Sequence, residues 1–175
     1  MGKPKRPTTK GRGNRSEEAL LPSQPQALPL LLQQVDGLLR AGNAEKALHL
    51  VRGCGMSSPW LINALGVCQL RLGNAKPALE IYRRLVLELG GTHLRTDVPA
   101  VFRINFAQAL LSTGHVEGCL SALDEVATDH PAAARIRGAV ARWEDSLTFW
   151  ERLQWHLGGE PARPVLLDYP PGDLE

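Results

Sequence analysis

Five histidines (His49, His93, His115, His130 and His156) and three cysteines (Cys54, Cys68 and Cys119) are the residues of this 175-residue chain best suited to metal binding or nucleophilic chemistry. No two histidines stand at i, i+4, the spacing that sets two ligands on one helix face, and no cysteines form a Cys-x-x-Cys pair. Neither a metal site nor a cofactor is therefore expected. Cys54 has Arg52 and His49 nearby in sequence, the start of a basic surrounding that would activate a thiolate. Packing as small hydrophobes in helix hairpins is the simpler account of all three cysteines. There is no Gly-x-x-x-x-Gly-Lys-Ser/Thr phosphate loop, no Gly-x-Ser-x-Gly elbow and no Gly-x-Gly-x-x-Gly turn. The expectation is a chain without catalytic residues, not an enzyme.

Charge points to a second kind of chemistry. Residues 1–16 carry Lys3, Lys5, Arg6, Lys10, Arg12 and Arg15 with no acid, a charge of +6, whereas the remainder carries −4. Such a stretch, rich in Gly and Pro, cannot bury enough apolar surface to offset its ordering entropy, so residues 1–26 are expected to form a disordered basic tail. A block of like charge is either a solubilising end or an arm for nucleic acid. This one lacks the interleaved aromatics of a base-stacking site. No apolar core follows Met1, which argues against a secretory signal, and no apolar run approaches the length of a membrane span. Three scattered cysteines fit a reducing compartment, so a cytoplasmic location without membrane insertion is expected.

The elements that position any site are helices. Leu28, Leu31, Leu32, Val35, Leu38 and Leu39 follow the i, i+3, i+4, i+7 pattern of one buried helix face, and no stretch alternates over a strand's length. Arg40-Ala41-Gly42-Asn43-Ala44-Glu45-Lys46-Ala47-Leu48 then returns as Arg71-Leu72-Gly73-Asn74-Ala75-Lys76-Pro77-Ala78-Leu79. A looser copy runs from Ser112 to Leu120 around Gly114. The turn glycines are 31 and 41 residues apart, and each is followed five residues later by a small side chain, Ala47, Ala78 or Cys119. A small residue there lets two antiparallel helices approach closely. Recurrence at this period marks stacked repeats.

On these residues the chain resembles the tetratricopeptide repeat family. The middle copy carries the resemblance best, through Trp60, Leu65-Gly66, Gly73, Ala78 and Tyr82. The third matches through Gly114, Leu123 and Pro131, but has Phe106-Ala107 in place of Leu-Gly and Cys119 in place of Ala. The first keeps Gly42, Ala47 and Val51. The resemblance covers residues 28–131 and implies three degenerate repeats in a right-handed superhelical array of antiparallel hairpins, all-α, with about seven helices. It also implies a concave groove lined by the first helix of each repeat, presenting Leu32, Asp36 and Leu39, then Trp60, Asn63, Val67 and Arg71, then Val101, Ile104, Asn105, Gln108 and Ser112. Asp36, Trp60, Asn63, Val67, Arg71, Ile104, Asn105 and Gln108 are the candidate partner-binding residues. The family's carboxylate clamp would need Lys, Asn and Arg where this chain has Leu32, Asp36, Ala64, Val101 and Asn105, and only Asn105 matches in type.

Beyond Pro131 the stripe Ile136, Val140, Trp143, Leu147, Trp150 and Leu157 predicts one capping helix over 132–157, ended by Gly158-Gly159. Residues 27–158 are thus the repeat domain and 159–175 an extended Pro-rich tail. Phe149 and Trp155 lie off the stripe, and the tail's Val165-Leu166-Leu167-Asp168-Tyr169 is expected to fold back over the outer face of the cap and cover them. The expected function is a scaffold or adaptor that binds a peptide or helix of a partner protein in its groove. The alternative is a nucleic-acid-associated accessory protein acting through residues 1–16.

Overall fold

The structure, a computed structural model, describes residues 24–174 except 89, 92, 127–129 and 160–162. The expected basic arm at residues 1–16 lies outside the described residues. Among the described residues eight helices follow one another: α1 (Gln24–Arg40), α2 (Ala44–Gly53), α3 (Pro59–Arg71), α4 (Ala75–Val86), α5 (Ala100–Ser112), α6 (Val116–Asp124), α7 (Pro131–Ser146) and α8 (Phe149–His156). Among the described residues there is no strand, and Leu87 and Leu94 form one isolated antiparallel bridge in the long α4–α5 connection. Helix α1 begins at Gln24 rather than beyond residue 26. Pro25 falls in its first turn, where a missing N–H leaves no hydrogen bond unmade.

Each helix through α7 packs on the next, and α1, α3, α5 and α7 also touch in turn, forming a second level of contact. The three glycine turns are built alike. Asn43, Asn74 and His115 each donate their N–H to the carbonyl five residues back, on Leu38, Gln69 and Leu110, while the glycine donates to the carbonyl three back. This closure uses carbonyls that the helix end leaves free, and it requires a left-handed residue between. Gly73 supplies it at φ +75°. Gly73→Ala is expected to lower stability by about 1–2 kcal/mol, the cost of left-handed backbone for a residue with a Cβ. Gly73→Asn should cost less, and urea denaturation of the two variants checks the order.

Close approach within the hairpins rests on the small residues five positions on. Ala47, Ala78 and Cys119 are fully buried. The apolar core divides in two, one part among α1, α2 and α3 and a larger part from the end of α3 to α8. Helix α5 lies within the larger part and is buried on almost every side, from Val101 to Leu111.

The expected single helix over 132–157 is instead two. Leu147 leaves helical backbone at ψ 141°, and Thr148 starts α8 with a capping box: its hydroxyl accepts from Glu151 N–H while the Glu151 carboxylate accepts from Thr148 N–H. That reciprocal pair satisfies two helix-end donors and favours a new start here over a continuous helix. Hydrogen bonding from the Thr148 N–H also holds the Glu151 carboxyl below its usual pKa. The break changes which side chains face inward. Trp155 is buried and packs edge-to-face on Trp143 at 5.1 Å. Trp150, expected on the buried stripe, is 74% exposed, and Phe149, expected under the tail, is 72% exposed.

Candidate functional site

The strongest convergence of polar side chains lies on the face where α3, α5 and α7 stand side by side, and the chain's own segment Pro171–Leu174 runs through it. Arg71, in the last turn of α3, donates Nε–H to the Pro171 carbonyl at 2.5 Å and Nη2–H to the Gly172 carbonyl at 2.9 Å. Gln108 on α5 accepts the Gly172 N–H through Oε1. Asn105, one turn earlier, accepts the Asp173 N–H at 3.0 Å and donates to the Asp173 carbonyl at 2.7 Å. Asn63 on α3 donates to the same carbonyl at 3.4 Å and accepts a 2.8 Å bond from Asn105. Every backbone donor and acceptor from the Pro171 carbonyl to the Asp173 carbonyl is therefore held by a side chain of α3 or α5.

These amides are built into the core rather than laid on it. Asn63 and Asn105 are fully buried and Gln108 nearly so. Beneath them Tyr82 of α4, also fully buried, donates Oη–H to the Asn63 carbonyl at 3.2 Å. Burial drives the Tyr82 hydroxyl pKa well above its ordinary value, so it stays a donor. Burial lowers the Arg71 pKa, with Asp173 and Asp36 opposing that shift. Buried amides need hydrogen-bond partners; the peptide segment supplies them to Asn105, to Asn63 Nδ2 and to Gln108 Oε1, while Gln108 Nε2 stays unpaired among the described residues.

Side-chain fit adds to the backbone bonds. Gly172 is buried at φ +84°, and a Cβ placed on it would lie 3.0 and 3.2 Å from the methyls of Val67 and 3.3 Å from its Cα. Leu174 packs on the α1–α3 core and borders a cleft of about 630 Å³ lined by Leu28, Leu30, Leu32, Asp36 and Trp60 among others. Arg135 of α7 reaches the Asp173 carboxylate at 3.3 Å and stacks its guanidinium over the Tyr169 ring, 4.8 Å from the centroid.

Of the candidate residues, Asn63, Val67, Arg71, Asn105 and Gln108 surround the segment directly. Trp60 and Asp36 line the cleft beside Leu174; Trp60 also packs edge-to-face on Phe102, and Asp36 pairs with Arg40 at 2.7 Å. Ile104 is fully buried in the larger core, on a helix with neighbours around nearly its whole circumference. Leu39 and Val101 are likewise core. Gly172, Leu174 and Arg135 were not among the candidates. Their partners are far away in sequence, and only the extended Pro170-Pro171 stretch signalled that the tail holds a fixed shape.

The tail's course also differs from the expected one. Val165 and Leu167 pack on the larger core, Trp143 Nε1–H donates to the Arg163 carbonyl at 3.0 Å, and Arg142 meets Asp168 at 3.4 Å. The tail thus follows α7 and continues across α5 to α3, leaving Phe149 and Trp150 uncovered.

The cysteines are free thiols, Cys68 and Cys119 fully buried and Cys54 half-buried with Sγ 3.0 Å from the Val51 carbonyl. Burial pushes the Cys68 thiol up to about 11 and the Cys119 thiol up to about 12. Both therefore keep their protons in the folded chain while the unfolded thiols ionise near 9. The stability this gives is complete below pH 9 and is lost as pH rises through 11 and 12. We expect a thiol reagent at pH 8 to modify Cys54 alone in the native state and all three cysteines in denaturant. We also expect the denaturation midpoint to fall above pH 9, and to fall less in Cys68→Ala/Cys119→Ala.

Among the described residues no group of three or more His, Cys, Asp or Glu side chains is placed to hold a metal ion, and no helix is long and apolar enough to cross a membrane. Comparison of the chain with protein-family models, curated proteins and solved structures finds no match.

Proposed function

We propose that the chain is a non-catalytic protein-interaction module, a tetratricopeptide-like right-handed array of helix hairpins whose inner groove, formed along α1, α3, α5 and α7, binds an extended segment of a partner protein. One observation carries this reading: buried Asn and Gln side chains, with the half-buried Arg71, hold every backbone donor and acceptor from the Pro171 carbonyl to the Asp173 carbonyl. Side chains that grip backbone groups accept many peptide sequences, and adjoining apolar recesses then select among them. The repeated glycine turns and the second level of contact among α1, α3, α5 and α7 support the array. A reducing compartment such as the cytoplasm suits its three free thiols.

Peptide display against the chain tests the reading. Selected peptides should lose tenfold or more in affinity for Asn105→Ala and Arg71→Ala, with circular dichroism confirming the fold of each variant. Peptides that bind these variants as well as the parent would refute it. The alternative reading, nucleic-acid binding through residues 1–16, predicts affinity that falls steeply with salt and disappears when those residues are deleted.

A further inference from the structure

We propose that Pro171–Leu174 is a built-in occupant of the groove, and that the partner which displaces it presents the same chemistry: an extended segment with glycine, then an acidic residue, then a large aliphatic one. The inference rests on the peptide-binding reading above and goes further, naming both the ligand class and the state of the groove before a partner arrives.

Three features of the site rank the requirements. Glycine is the strict one. The Val67 methyls and Cα stand within 3.0–3.3 Å of any Cβ at that position, and φ +84° is a conformation other residues rarely adopt. The aliphatic residue is next, because Leu174 sits on apolar core beside a cleft floored by Leu28, Leu32 and Trp60. The acid matters least. Its pairing with Arg135 is 3.3 Å long, and the two side chains are 38% and 52% exposed, so water screens most of the attraction.

Tethering explains why the segment stays in place. The strap from residue 163 to 169 is fixed on α7 through Trp143, Arg142 and Arg135. This presents the segment to the groove at an effective concentration on the order of millimolar, as a short linker does. A partner in solution must exceed that, either by affinity or by pulling the strap from α7.

The test uses full-length chain and a fluorescein-labelled synthetic peptide spanning residues 164–175, followed by anisotropy. Gly172→Val opens the groove. Asp173→Pro, which removes the N–H that Asn105 accepts, is a second and independent way of opening it. Both opened chains should bind the peptide at least tenfold more tightly than the unaltered chain. Adding Asn105→Ala to either should abolish the gain. In the peptide, alanine in place of the glycine should cost tenfold or more, and asparagine in place of the aspartate no more than about fivefold. Opened chains that bind no better than the unaltered one overturn the proposal. So does sedimentation showing an unaltered dimer that dissociates on Gly172→Val, because the segment would then occupy a second copy. Display on the opened chains separates the two levels of the argument. Asn105-dependent peptides lacking the glycine and the aliphatic residue two positions on would sink this inference and leave the module reading standing; no Asn105-dependent peptides at all would sink both.

Discussion

Gly66→Ala is expected to destabilise the fold by about 2 kcal/mol or more, although alanine is the better helix former by about 1 kcal/mol. The two effects have opposite signs, and geometry decides between them. A Cβ on Gly66 would stand 2.5 Å from Tyr82 Cζ and 2.7 Å from both Cε2 and Oη. Those distances lie well inside van der Waals contact, so α3 and α4 must separate or the ring must move. Tyr82 is fully buried and fixed at its far end by the bond to the Asn63 carbonyl. Overpacking of a tight core costs about 1–3 kcal/mol, and losing the hydroxyl's hydrogen bond adds about 1 kcal/mol. Together these exceed the propensity gain. Urea denaturation of Gly66→Ala, Tyr82→Leu and the double variant provides the check. The double variant should be more stable than the two separate losses predict, because leucine vacates the space that alanine needs. A higher midpoint for Gly66→Ala alone would show that the hairpin is looser than its geometry.

Gly66 also shows how the sequence could be read and where reading stopped. Helices α1 to α6 were legible because apolar residues recur at helical spacing and the same glycine turn returns three times. The break between α7 and α8 was not, because Trp143, Leu147 and Trp150 continue the helical period across it. The capping pair Thr148 and Glu151 was present, and it outweighs the apolar stripe. Asn63, Val67 and Arg71 were singled out through the resemblance to the repeat family, and their spacing of four is consistent with one helix face. Ile104 is harder to place from sequence, because α5 is buried on almost every side and offers little exposed face from which to set its phase. Gly172 reaches Val67 and Gln108 across 105 and 64 residues of chain. No local period encodes such a contact. It depends on where α7 directs the strap, and so on the helix break that the stripe concealed.

That dependence makes Trp143 the other position of large effect. Trp143→Ala is expected to lower stability by about 3–5 kcal/mol, the range for removing a large aromatic from a core. The indole is 6% exposed, packs edge-to-face on Trp155 and donates to the Arg163 carbonyl at 3.0 Å, so it joins α7, α8 and the start of the strap. Trp143→Phe separates these roles. Phenylalanine keeps much of the apolar contact but has no N–H, leaving a carbonyl bond unmade at a cost of about 1 kcal/mol. Trp143→Phe should therefore unfold at only slightly lower urea, yet show faster amide exchange over residues 163–174, as the strap has lost its first fixed point. Trp143→Ala should show the same change in exchange together with a much lower midpoint. If Trp143→Phe left exchange over 163–174 as slow as in the parent, the indole would be core packing only, and Val165, Leu167 and the arginines of α7 would hold the strap without it.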